Sequence, residues 1–281
     1  MKRLRIEHAT GFSYQGDVGA SYNEARMLPS STGSQFVLSS QLDIAPSTSV
    51  NHYVDYFGTR VAAFDVLAPH SALDITARSL VEVRPRPLET SDMTWEQLQR
   101  EADRQIATVE MMSQTTRTAP HPEVADIARS IAGQHTTPAE AALAIAQAIG
   151  DAVQYMFGVT GVHSTAAEAW EERKGVCQDI AHITLGALRE VGIPSRYVSG
   201  YLHPHANPEV GVPVAGESHA WVEWFAGHWQ GFDPTNGTEI GDRHVLVGRG
   251  RDYNDVPPLR GVYAGPFNSD LHVKVTITRE A

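Results

Sequence analysis

Cysteine is nearly absent: the 281-residue chain has one, Cys177, which rules out an intrachain disulfide. Basic charge is scarce too, with 22 Lys+Arg against 33 Asp+Glu and a formal net charge of −11. Such a balance gives no overall electrostatic footprint for phosphate backbones or anionic membranes, so neither nucleic acid nor a membrane is expected as a partner. No apolar run approaches the length of a membrane span. The start, MKRLRIEHATGFSYQG, is basic but lacks the apolar core of a secretory signal. Read as the natural full-length chain, it is expected in a reducing compartment, the cytoplasm. Internal repeats, charge blocks and low-complexity stretches are missing as well.

What is present suggests an α+β protein of two domains, since 42% hydrophobic content over this length is more than one compact core needs. Residues 1–90 read as an antiparallel β domain. Two-residue alternation runs through Leu4, Ile6 and His8, then through segments 36–44, 50–56, 60–66 and 73–83. Tyr56-Phe57-Gly58-Thr59 supplies a hairpin turn, and Pro85 and Pro87 stop the pattern. Residues 91–281 read as a second domain with a helical lead-in. Val124, Ile127, Ala128 and Ile131 share one helix face, and Gly133 should end that helix in a left-handed conformation. Thr137, Pro138 and Glu140 predict the next start through a capping box, as do Thr165 and Glu168 before Trp170. A further helix carries Ile180, Thr184, Leu188 and Val191 on one stripe and is closed by Gly192 and Pro194. Strands follow at 197–202, 219–225 and 229–233, with a Pro- and Gly-rich loop at 203–217. Alternation at Leu271, Val273, Val275 and Ile277 predicts a last strand over 271–278 that is free to return to the β domain.

A lone cysteine is more often a small buried hydrophobe than a nucleophile. Cys177 differs by its position, where Arg173-Lys174-Gly175-Val176 leads into a helix. Unpaired N–H groups and the positive end of the helix dipole favour an anion there, and its own N–H is a natural oxyanion donor. A reactive thiol also needs an imidazole. His182, five residues along the helix, lies about 140° around it and reads as structural. His203 and His205 have metal-like spacing but no accompanying Cys or carboxylate, so no metal site is expected. His219 opens the strand Ser218-His219-Ala220-Trp221-Val222-Glu223-Trp224, a rigid place for a general base. Asp233 lies on the returning strand. With a three-residue connection at 226–228 it falls on the same sheet face as His219, as a diagonal neighbour able to orient the imidazole. The other reading of Asp233 is a turn-capping residue before Pro234.

Weaker candidates surround these three. Large aromatics at strand positions usually fill cores. Trp170 and Trp221 are carried nonetheless, with Tyr201 and Glu217, as candidate substrate contacts. Arg249, Arg251 and Asp252 read either as part of a substrate channel or as an internal ion-pair network.

Five segments are specific in combination: Gly175-Val176-Cys177-Gln178-Asp179, Tyr197-Val198-Ser199-Gly200-Tyr201-Leu202, Ser218-His219-Ala220-Trp221-Val222-Glu223, Asp233-Pro234-Thr235-Asn236-Gly237 and Gly248-Arg249-Gly250-Arg251-Asp252-Tyr253. They resemble the bacterial transglutaminase-like proteins of the papain-like cysteine enzyme group. Asn23-Glu24-Ala25-Arg26-Met27-Leu28-Pro29 and Asp55-Tyr56-Phe57-Gly58 are similar to the β domain that precedes the core in that family, so the resemblance spans nearly the whole chain. It implies a helix bearing Cys177 packed on an antiparallel sheet, with Cys177, His219 and Asp233 as nucleophile, base and orienter. The implied reaction is acyl transfer from an amide or peptide bond through a thioester, on a peptide or protein, with no metal or organic cofactor required. Hydrolysis leads, transfer to an amine is the near alternative, and an inert binding or scaffold module is the reading from another class.

Overall fold

The computed structural model describes residues 1–158, 161 and 163–281. Alternation in the first third becomes six strands: β1 (Lys2–Val18), β2 (Ala20–Ala25), β3 (Gln35–Ala45), β4 (Val50–Val54), β5 (Arg60–Val66) and β6 (His70–Val83). In β1, Leu4, Ile6, His8 and Thr10 are buried while Arg5 and Glu7 are exposed, the mark of a sheet with one wet face. Helices follow: α1 (Trp95–Ala102), α2 (Ile106–Val109), α3 (Pro122–Ala132), α4 (Pro138–Ala152), α5 (Ala166–Glu172) and α6 (Cys177–Glu190), with the short parallel pair β7 (Gln154–Tyr155) and β8 (Lys174–Gly175) among them. The rest is β: β9 (Ser195–Leu202), β10 (Pro213–Phe225), β11 (Trp229–Asp233), β12 (Thr238–Glu239), β13 (His244–Gly250), β14 (Leu259–Ala264) and β15 (Ser269–Arg279). The protein is α+β, and no described helix is long and apolar enough to cross a membrane.

One nine-stranded sheet runs β12-β11-β10-β15-β1-β6-β3, with β9 and β13 branching beside β10. A four-stranded sheet, β14-β2-β5-β4, packs against its N-terminal part through Val18, Met27, Phe64, Leu73 and Ile75. The last strand β15 pairs along its whole length with β1, with Leu4 opposite Arg279 and Tyr14 opposite Ser269. β10 joins the regions. Residues 213–216 pair with β15, 217–224 with β9 and 222–225 with β11. Its Val222 and Trp224 face a helical core built from Ile145, Ile149, Ile180, Leu185 and Leu188. Burying a side chain of that size contributes about 1.5–3 kcal/mol, so α6 is fixed where the core is densest.

The helix ends show which signals operate. At Thr165 both arms of the capping box form with Glu168. At Thr137 the hydroxyl accepts from the Glu140 N–H at 3.3 Å, but it donates to the Glu140 carboxylate at 3.0 Å, so the reciprocal arm is replaced. Gly133 departs from expectation: its φ of −66° is ordinary helical backbone, because the chain there continues into another helical turn through Gln134 N–H to Ile131 O. Gly192, at φ 79°, does end its helix in the left-handed region.

Gly150 has a different task. A Cβ there would lie 2.2 Å from the Pro234 carbonyl oxygen, so its absence lets α4 press onto the turn that follows β11. Alanine is intrinsically the better helix former by about 1 kcal/mol, but here it overpacks a contact, at a cost of about 1–3 kcal/mol. We expect Gly150→Ala to lower the thermal midpoint by several degrees. Gly133→Ala, where a Cβ comes no nearer than 3.4 Å to another atom, should leave it equal or higher. Paired melting curves by circular dichroism check the opposite signs.

Candidate active site

Cys177 is the first residue of α6. The helix starts there because Gly175 is tied into β8 and the Asp179 carboxylate accepts the Val176 N–H at 2.8 Å, closing the first turn. Residues 178–189 of α6 are all buried, so the expected single stripe is too narrow; helices α3, α4 and α5 cover the faces that the sheet does not. The thiol is half-buried at the mouth of this core.

His219 and Asp233 meet as the strand parity requires. The β10–β11 register pairs Phe225 with Trp229 and Val222 with Phe232, which sets Asp233 opposite Trp221 and diagonal to His219. His219 Nε2 lies 2.7 Å from Asp233 Oδ2. Cys177 hydrogen-bonds the same imidazole. Burial opposes charge on this imidazole, yet the hydrogen bonds and charges of Asp233 and Cys177 outweigh it and raise His219 to about 10.

Asp233 is fully buried. Burial opposes its ionisation, but hydrogen bonds from His219 and His244 hold it well below the usual carboxylate range. Its other oxygen, Oδ1, accepts the N–H groups of Thr235 at 3.1 Å and Asn236 at 3.2 Å. The two sequence readings of Asp233, imidazole partner and turn cap, are thus both realised, one on each oxygen. Asn236 Nδ2 also donates to Oδ2 at 2.7 Å.

His244, at the start of β13, was not legible as part of this cluster. Its Nδ1 accepts the Gly241 N–H at 3.2 Å, which leaves the Nε2 proton to point at Asp233 Oδ2, 3.2 Å away. Burial lowers its pKa, so it donates as a neutral ring. His219, Asp233 and His244 bring donor atoms within 4.8 Å of one another, a set with the chemistry of a transition-metal site. In the arrangement described those atoms are engaged in hydrogen bonds to each other. His203 and His205 form no such cluster: His203 is buried and its Nδ1 accepts the His205 N–H at 3.2 Å.

A cavity of about 410 Å³ opens beside His219, lined by Tyr155, Leu202, Glu217, Thr235, Asn236 and Arg243 among others. Glu217 is among the residues that line it. Trp170, Tyr201 and Trp221 are not, and this corrects the sequence reading. Trp170 is 1% exposed, with its indole N–H on Glu123 and the Arg173 guanidinium stacked 3.7 Å from its ring. Tyr201 is buried between β1 and β9, where its hydroxyl donates to the Met27 carbonyl at 3.0 Å and meets His8. Trp221 is also buried, and its ring packs edge-on against His244 and tilted against His219. In each case a large apolar ring is worth more in the core than at a wet cleft. Tyr155 was missed because it belongs to a two-residue strand without periodicity. Burial, Glu217 and Cys177 push its hydroxyl up to about 12.

Comparison with known proteins agrees with this architecture. Residues 4–82 match the bacterial transglutaminase-like N-terminal region, and residues 125–234 match the transglutaminase-like superfamily. An uncharacterized protein of Mycobacterium leprae is 44% identical over 283 aligned positions, covering 100% of both chains. One from Mycobacterium tuberculosis is 31% identical over 297 positions, covering 98% of this chain and 92% of its own. A crystal structure of a candidate cysteine protease from Cytophaga hutchinsonii has a TM-score of 0.75 at 19% identity, covering 99% of this chain and 97% of that one; a likeness at that identity is one of fold. The chain therefore belongs to the bacterial transglutaminase-like family of the papain-like cysteine enzyme superfamily, with that family's N-terminal β region ahead of its core.

Proposed function

We propose that the chain is a cysteine-nucleophile acyl-transfer enzyme that hydrolyses amide or peptide bonds through a thioester. The observation that carries this is the His219 imidazole bonded to both the Cys177 thiol and the buried Asp233 carboxylate, 2.7 Å from its Nε2. Cys177 attacks the substrate carbonyl carbon as a thiolate. His219, charged at neutral pH, gives its proton to the leaving amine, and the neutral ring then takes a proton from the water that cleaves the thioester. The Cys177 N–H at the helix entrance faces the developing oxyanion. The Tyr155 hydroxyl, kept protonated, lies in the same cleft and donates to the Glu217 carboxylate at 3.4 Å. The cleft sets Glu217, Thr235, Asn236 and Arg243 beside the apolar Leu202, Pro204 and Ala215 and is open to solvent, so water can reach a thioester there, which supports hydrolysis over transfer to an amine. A reducing compartment such as the cytoplasm suits an enzyme whose single cysteine must stay a free thiol.

A peptide mixture from digested casein, read by mass spectrometry with and without an added primary amine, tests the reaction. We expect amide cleavage without amine incorporation, and a loss of at least about 10⁴-fold in Cys177→Ala. Cleavage by Cys177→Ala at the wild-type rate would sink the assignment.

Thiol reactivity gives a test that needs no substrate. Wild type should react with iodoacetamide at neutral pH, and His219→Ala should react about tenfold or more slowly there. The Asp233 charge raises His219 to about 10, so Asp233→Asn should move the loss of imidazolium, and with it the expected alkaline limb of turnover, to lower pH. Equal alkylation profiles in all three proteins would instead mark an inert module.

His244 is a positioning residue on this reading. Removing its hydrogen bond to a buried carboxylate costs about 1.5–3 kcal/mol. His244→Ala should therefore lower kcat by roughly 10- to 100-fold with KM little changed, and His244→Gln should recover part of the loss. An unchanged kcat in His244→Ala would remove it from the catalytic arrangement.

A further inference from the structure

Farther along the strand that bears His219, β10 carries a second charged cluster. Glu223 is 1% exposed and lies on the same face as His219. Four residues of extended chain put it about 13 Å away, with buried Trp221 between. Its carboxylate is gripped by three arginines. Arg249 binds both oxygens, Nε to Oε2 at 2.8 Å and Nη2 to Oε1 at 3.1 Å. Arg196 Nε donates to Oε2 at 2.7 Å while its guanidinium stacks 3.9 Å from the centre of the Trp229 ring, and Arg86 Nη1 reaches Oε1 at 3.3 Å.

Neutralising one carboxylate takes one bidentate arginine, and Arg249 already supplies it. Arg196 and Arg86 are in excess. They open, with Arg249, onto a cavity of about 540 Å³ whose rim adds Arg84, Thr32 and Ser34 and no acidic side chain. Arg84 projects from the end of β6 and, among the described residues, has no carboxylate within 4.0 Å. Four guanidiniums against one carboxylate leave three surplus positive charges, in a chain whose net charge is −11. Burial pushes Arg196 down to about 10 against the pull of Glu223, so it stays charged at neutral pH. Arg84 is exposed and Arg86 partly so, so an oxyanion arriving from solvent can reach both and gain charge-assisted hydrogen bonds.

We propose that this cavity binds a phosphate-class oxyanion. A dianion answers the surplus charge, guanidinium forks match its oxygens in pairs, and the Thr32 and Ser34 hydroxyls supply neutral donors. The cavity falls within the roughly 300–1,000 Å³ of small-molecule sites. That leaves room for an organic body behind a phosphoryl group. The site is separate from the cleft at His219 and stands whether or not the chain hydrolyses amides. A purely structural role for the arginines explains Arg249 and Arg196 but gives Arg84 nothing to hold.

The test is isothermal titration of the full chain with inorganic phosphate, glycerol 3-phosphate and succinate at matched ionic strength. Arg84→Ala, Arg84→Lys and Arg243→Ala are compared with wild type, and a melting curve confirms that each is folded. We expect saturable one-to-one binding of both phosphates, roughly tenfold weaker in Arg84→Ala, partly restored in Arg84→Lys and unchanged in Arg243→Ala. A tighter ester names a phosphorylated small molecule as the source, and tighter phosphate names the free ion. Succinate binding as tightly as phosphate overturns the proposed class. Loss of binding in Arg243→Ala alone places the anion in the cleft and overturns the site, as does the absence of saturable heat with either phosphate.

Discussion

A carboxylate with no solvent exposure costs several kcal/mol to ionise unless donors surround it, and Asp233 is such a group. Its two oxygens take donors from three places in the chain: the imidazole of His219 on β10, the turn at Thr235 and Asn236, and the imidazole of His244 on β13. Because His244 donates as a neutral ring, it steadies Asp233 without competing for the proton on His219. The charge of Asp233 then falls on a single partner, and His219 is raised although burial would lower it. The β10–β11 register, the turn after Asp233 and the approach of Gly150 are all arranged to deliver that one carboxylate. Removing one of its donors leaves a buried lone pair unsatisfied.

β10 is the element on which the other strands depend. Its first residues extend the N-terminal sheet through β15, its middle pairs with β9, and its last turn of pairing holds β11. One face, Ala220, Val222 and Trp224, belongs to the helical core. The other face alternates function and support: His219, then Trp221 as a buried wall, then Glu223 with its arginines. The ion-pair reading of Arg249 is the one realised, while Arg251 pairs locally with Asp255. With an indole between them, the charged clusters at His219 and Glu223 are kept apart on one face of the same strand.

The legible parts of the sequence were those with local causes. Alternation gave the strands of the N-terminal sheet, and the Thr-x-x-Glu pattern gave the helix starts at 137 and 165. Strand parity placed His219 and Asp233 together, because register is a counting rule that needs only the connection length. β2 was missed because its inward residues include Ser21 and Asn23, which bond to each other and, through Ser21, to His70; a polar inner face hides the period. β13 was missed because Val245, Leu246 and Val247 are all buried, so no alternation exists to detect. With β13 unread, His244 could not be brought to Asp233. Trp170, Tyr201 and Trp221 were placed at the cleft by residue type, a criterion that carries no direction. Each instead fills a cavity that only the assembled core defines.

The parts of the site differ in how freely they can change. Cys177 stands on the most buried helix, and His219 and Asp233 on strands with core on one face. The cleft walls come from elsewhere: Tyr155 from a two-residue strand, Leu202 from a strand end, Thr235 and Asn236 from a turn, and Arg243 from the segment before β13. Between Leu202 and Glu217 runs the Pro- and Gly-rich segment, whose residues 204–207 and 209–213 are exposed. Substituting a residue in that segment disturbs little buried area, so its effect on stability is small. The same change in α6 costs core packing. Cys177, His219 and Asp233 are thus anchored where mutation is expensive, and the walls of the cleft beside them lie on segments where it is cheap.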